Sequence, residues 1–127
     1  IGGCNDCHTP GYPEDGARVP EKEWLNGVPV GYQGPWGTSY PANLRLVLNS
    51  MTEAQWLKHA RQERLPPMPW FNLRAMTDDD LKAVYAYVRS LGPAGVAVPA
   101  YVAPGAKVNT PYFVLVPQVD EKQASAR

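Results

Sequence analysis

Residues 1–10 read IGGCNDCHTP, and within them Cys4-Asn5-Asp6-Cys7-His8 spells C-x-x-C-H. These are the only two cysteines of a 127-residue chain, and one of its two histidines stands directly beside them. Several chemistries use paired cysteines, and each makes a different demand on the remaining residues.

Zinc would have to draw on Cys4, Cys7, His8 and His59, but a histidine adjacent to a ligating cysteine fits no familiar zinc spacing. A thioredoxin-type dithiol wants a βαβ setting, which this sequence lacks. A disulfide across two residues would stabilise little and would leave His8 unexplained. Covalent haem attachment uses all three residues. Each thiol adds to a haem vinyl group as a thioether, and the two-residue spacer sets the sulfurs about one helical turn apart. His8 then points at the iron as proximal ligand.

The composition allows one domain. Hydrophobic residues make up 44%, and 12 basic side chains balance 12 acidic ones, so nothing predicts a nucleic-acid or polybasic membrane partner. No run reaches the length of a transmembrane helix, and no basic and apolar leader stands at the front. This predicts a soluble chain, processed or truncated at its beginning. Fourteen prolines and 11 glycines limit regular structure, while four tryptophans and seven tyrosines require something to pack on.

Residues 9–50 show no sustained period and are rich in turn residues, so they predict a long ordered loop wrapped around something. Short helical turns fit near Glu21–Leu25 and Asn43–Leu48. In MTEAQWLKHAR (51–61), Thr52 and Gln55 form a capping box, Met51 and Trp56 a hydrophobic staple, and Trp56, Leu57 and Ala60 an inward stripe. In MTDDDLKAVYAYVRSLGP (76–93), Thr77 caps, Asp78, Asp79 and Asp80 load the positive end of the dipole, and Met76 staples Leu81. Leu81, Val84, Tyr85, Val88 and Leu91 form the apolar face, with Gly92 placed for a left-handed C-cap before Pro93. Between these helices LPPMPWFNL (65–73) predicts extended backbone. Residues 93–127 form a Pro-punctuated extension whose YFVLV run pairs as a strand or lies across the core, with about eight frayed residues at its end.

Met68 supplies a second sign of haem. Met51 and Met76 each staple a helix start, whereas Met68 has no such task and is held by prolines in a loop. A distal thioether ligand needs such placement, against the plainer alternative of a gap-filling core methionine. His59 is the rival sixth ligand, but it lies roughly 110° from the centre of its helix's stripe on helical geometry.

With C-x-x-C-H early, PPMPW late and a closing helix after it, residues 1–92 resemble a class I cytochrome c, and within that family the cytochrome c domains of bacterial periplasmic electron-transfer chains. The resemblance implies an all-α fold with long Pro/Gly-rich loops around one covalently attached haem c. It implies Cys4 and Cys7 as thioether cysteines, His8 as proximal and Met68 as distal iron ligand. Aromatic loop residues, Trp70 of MPW among them, would form the haem's packing shell. Tyr87 matches the aromatic residue that packs on the family's N-terminal helix. That helix should precede the haem motif, so the natural chain is expected to have roughly ten or more residues before Ile1, without which the stripe Leu81/Val84/Tyr85/Val88 would face water. Residues 93–127 lie outside the family core and are expected to wrap it.

The function expected is one-electron transfer in the periplasm between redox partner proteins, not enzymatic turnover, in a free-standing protein or a piece of a larger complex. The competing class is a haem sensor or haem enzyme with a displaceable sixth ligand; a third is an interaction module carrying haem incidentally. In GPWGTSYPANLR (34–45), Trp36, Tyr40, Asn43 and Arg45 are all able to donate hydrogen bonds to the haem carboxylates.

Overall fold

The computed structural model describes residues 2–117, so the frayed end expected of the last eight residues lies outside the described residues. Five helices carry the domain: α1 (Cys4–His8), α2 (Leu44–Asn49), α3 (Glu53–Ala60), α4 (Trp70–Ala75) and α5 (Asp78–Leu91). A single 3-10 turn spans Glu21–Glu23.

Both capped helices form where their sequences place them. The Thr52 hydroxyl accepts from the Gln55 N–H at 3.2 Å while the Gln55 side chain accepts from the Thr52 N–H at 2.8 Å. Thr77 accepts from the Asp80 N–H at 3.1 Å, so both helices begin with an otherwise orphaned donor satisfied. α5 packs against α2 and α3, and the core is Leu25, Leu48, Trp56, Ala60, Leu81 and Val88, with Leu48 and Leu81 wholly buried. The Trp56 indole N–H donates to the Leu81 carbonyl at 2.8 Å, and the Tyr85 hydroxyl donates to the Met51 carbonyl at 2.8 Å, which fixes α3 against α5. α2 and α3 pack on the α5 face that carries Leu81 and Val88, and both of these are buried. Tyr87, 40% exposed, lies off that stripe beside a groove shared with Gly3, Tyr12 and Trp24.

An all-α description is too narrow. The strands β1 (Gly31–Gly34), β2 (Gly37–Ser39) and β3 (Tyr112–Val114) form a sheet ordered β2-β1-β3, with β1 antiparallel to β2 and parallel to β3. The hairpin turns at Pro35-Trp36, between Gly34 and Gly37. A Cβ at Gly34 would collide with the Trp36 ring, and one at Gly37 would collide with the Val102 carbonyl. These close approaches require glycine, the residue that hides a strand from a propensity reading. YFVLV therefore does pair, with the Leu115 N–H donating to Gln33 at 2.8 Å. Residues 93–117 also bridge the hairpin at Thr38 and Val102 and send the Tyr101 hydroxyl to the Trp36 carbonyl at 2.6 Å.

The stretch after Met68 departs from its expected extended form. α4 starts at Trp70, directly after Pro69, because a residue at a helix N-terminus needs no N–H to serve an intrahelical bond. The end of α5 also differs. Gly92 takes a positive φ of 75° but an extended ψ of 169°, so it is not a left-handed cap. Its place is taken by Arg45, only 6% exposed. The guanidinium donates to Gly92 at 2.8 Å, to Leu91, and to Lys22 at 2.6 Å. A cation at a helix C-terminus, satisfied by carbonyls, can be buried without a carboxylate partner.

Two outcomes follow. Arg45→Met should lower unfolding free energy by about 3 kcal/mol in chemical denaturation, since carbonyls at the α5 terminus and at Lys22 lose their donor; a change inside the error of the measurement would show that water replaces the guanidinium. His59 stacks 6.0 Å from Trp56, and burial, helped by Arg64, holds its pKa below the ordinary histidine value. Its neutral form is favoured by folding, so this stability is present above the unfolded pKa and declines as pH falls through about 6.5. Melting temperatures of His59→Gln should accordingly fall less on acidification than those of the parent chain.

Candidate haem-attachment site

α1 is five residues long, and it is held by contacts more than by length. Gly3 begins it at a φ of 67°, and Thr9 closes it with N–H to the Asn5 carbonyl at 3.2 Å. The Thr9 hydroxyl donates to the Asn5 side chain at 2.7 Å and accepts from the Leu25 N–H at 2.8 Å. This buried threonine, which nothing in the sequence singled out, ties the haem motif to the core through Leu25.

Cys4 and Cys7 are three positions apart on this helix, half-buried and not joined as a disulfide. The spacing puts the two sulfurs on one face, as thioether attachment requires. Burial pushes the Cys4 thiol's pKa up, which favours its neutral form. Tyr32 of β1 lies near the Cys7 sulfur, and burial together with that sulfur raises the phenol's pKa. Its ring packs 5.6 Å from Phe113 of β3. Tyr32 was missed in the sequence because its proximity to Cys7 comes only from the hairpin.

His8 is buried and anchored twice. Its carbonyl accepts from the Gly27 N–H at 2.8 Å, and its Nδ1 meets the Ala42 carbonyl at 2.8 Å. A carbonyl can only accept, so Nδ1 carries the proton and Nε2 keeps its lone pair. Burial lowers the imidazole pKa, and the bond to Ala42 opposes that only in part. The group is thus held as a neutral imidazole with one nitrogen prepared for a metal. Two thiols on one helical face and such an imidazole fit covalent haem.

Met68 lies half-buried in the loop before α4, with its N–H donating to Leu65 at 3.2 Å and its carbonyl accepting from Trp70 at 2.8 Å. The Ser39 hydroxyl donates to the Pro66 carbonyl at 2.9 Å, fastening this loop to β2. Met51 and Met76 pack on the hydrophobic core, whereas Met68 does not belong to it. Trp70 carries the Arg74 guanidinium 4.5 Å from its ring centre and meets Phe71 edge-on at 5.7 Å. His59 remains on α3 against Trp56.

The loop residues expected to serve haem carboxylates all have partners within the protein. Arg45 caps α5, as described. Asn43 accepts from the Leu46 N–H at 3.1 Å and donates to Ala94 at 2.8 Å and Val96 at 3.1 Å. The single Trp36 indole donor goes to the Tyr32 carbonyl at 3.2 Å, and the Tyr40 hydroxyl bonds Thr110 at 2.6 Å. The sequence showed correctly that these side chains are donors. It did not show that backbone carbonyls meet Trp36, Asn43 and Arg45, or that the Thr110 hydroxyl meets Tyr40.

Among the described residues, no helix is long and apolar enough to cross a membrane. Neither the curated proteins nor the solved structures compared give a match. The family model for cytochrome c matches residues 2–92, from the haem motif through the last residue of the α5 cap. That family binds haem c covalently through cysteines, which Cys4 and Cys7 supply here, and its domains are generally electron carriers. Over most of its length, then, this chain belongs to the cytochrome c family.

Proposed function

We propose that this protein is a one-electron carrier in which His8 is the proximal and Met68 the distal ligand of a haem attached through Cys4 and Cys7. The observation that carries the reading is the His8 ring: buried, neutral, with Nδ1 committed to Ala42 and Nε2 left to bind. The haem, when bound, supplies an iron that gains and loses a single electron. The chain's own residues do the rest. Ala42 and Gly27 hold the imidazole in one orientation, and the Pro-flanked loop holds Met68 so that a weak thioether bond is not opposed by loop entropy. With His8 and Met68 both holding the iron, no position would be left open for a substrate, which favours a carrier over an enzyme or sensor.

The resemblance to periplasmic cytochrome domains supports a periplasmic location, where partners would be a donor and an acceptor protein. With formal charge +0 the chain exerts no dominant steering field, so partner choice falls to local contacts.

Met68→Ala should abolish the weak far-red band that methionine gives ferric haem and should lower the reduction potential, because loss of the thioether removes a ligand that favours ferrous iron. Met76→Ala should retain both. The reverse outcome would reassign the ligand, and a high-spin spectrum of the unaltered protein would replace the carrier reading with one of an open sixth position.

A further inference from the structure

Residues 94–98 lie just past the family match, yet they pack on the segment that holds His8. Asn43 is the joint between them. It is 2% exposed, and its Nδ2 reaches the carbonyls of both Ala94 and Val96 while its Oδ1 caps α2. The preceding residue, Ala42, owns the carbonyl that accepts the His8 Nδ1 proton. On the other side, Gly27 donates to the His8 carbonyl and is pressed so close that a Cβ would stand 2.6 Å from both the Asn43 nitrogen and Val98 Cγ1. A Cβ on Gly95 would come within 3.1 Å of Asn43 Nδ2. Extension, Asn43 and the carbonyl that fixes the imidazole thus form one packed unit.

We propose that residues 94–98 are a buttress for the proximal ligand, and that Asn43 is the positioning residue through which they act. By tying two extension carbonyls, Asn43 holds the Ala42 carbonyl at its distance from His8 Nδ1. A well-placed acceptor makes the opposite ring nitrogen more basic, which stabilises the ferric state. When the carbonyl drifts, that bond weakens and the balance moves toward ferrous iron. The inference rests on the reading of His8 as an iron ligand.

Three variants of the haem-loaded chain test it. Asn43→Ser keeps an oxygen to cap α2 but loses both donors to the extension. Gly95→Ala pushes on Asn43 from the extension side. Gly105→Ala is the control, since Gly105 also has a positive φ, of 81°, but a Cβ there meets nothing within 4 Å. Asn43→Ser and Gly95→Ala should each shift the ferrous-to-ferric ratio at the parent midpoint about two- to fivefold toward ferrous, or about 20–40 mV upward for one electron. Solvent exchange of the His8 Nδ1 proton, followed by NMR in the ferrous state, should quicken in both. Gly105→Ala should move neither. If Asn43→Ser fails to retain haem, the Gly95→Ala and Gly105→Ala pair decides alone, and equal behaviour of that pair overturns the buttress. A parent spectrum without imidazole ligation would instead overturn the functional reading. Imidazole ligation with unmoved variants would remove only the buttress.

Discussion

His8 is bound at its ring and at its backbone carbonyl, to Ala42 and Gly27, and the surrounding loops keep those two contacts in place. The segments that supply them run side by side. Val28 donates to Pro41 at 3.1 Å and Leu44 donates to Leu25 at 3.0 Å, so residues 25–28 and 41–44 are fastened on both sides of the histidine. Gly27 makes this approach possible, since a side chain there would occupy the space of Asn43 and Val98. A short helix such as α1 has little stability of its own. It is ordered by being wedged between the core, through Thr9 and Leu25, and this pair of loops.

The same economy appears in the electrostatics. The only deeply buried cation among the described residues is Arg45, and carbonyl dipoles solvate it where a carboxylate would usually pair with it. The exposed pairs Arg18–Asp15 and Arg61–Asp78 contribute little to stability by comparison, because solvent screens them. Arg45 joins three parts of the chain, the 3-10 turn, α2 and the end of α5. A lysine with one compact charge would not span those carbonyls as a planar five-donor group does.

What the sequence made legible was what local chemistry decides. Capping boxes and staples are short-range, so Thr52, Gln55 and Thr77 announced α3 and α5 directly, and five motif residues announced the attachment site. Non-local pairing was less readable. The hairpin around Pro35-Trp36 is built from glycines that read as turn residues, and Tyr32 comes near Cys7 only because that hairpin forms. Arg45 and Asn43 were recognised as donors, but their protein partners could not be read, since these lie 47 and 51 residues away along the chain. The α5 stripe was read correctly as apolar, while its packing on α2 and α3 depended on how the helices cross.

An electron carrier has to present nearly the same ligand geometry in both oxidation states, so its loops need rigidity more than they need regular structure. This chain obtains rigidity by cross-bracing. β3 pairs with β1, Val102 bridges Thr38, Tyr101 and Tyr40 bind across to and from the hairpin, and Asn43 holds the start of the extension. Each brace joins residues beyond 93 to residues between 31 and 43, the part of the chain that reaches both Cys7 and His8. Prolines between the braces limit the freedom that the loops would otherwise recover on unfolding. A segment rich in proline and poor in helix is therefore not a loose appendage here. It is the outer half of a two-sided clamp, with the Ala42 carbonyl at the point where the two sides meet the His8 ring.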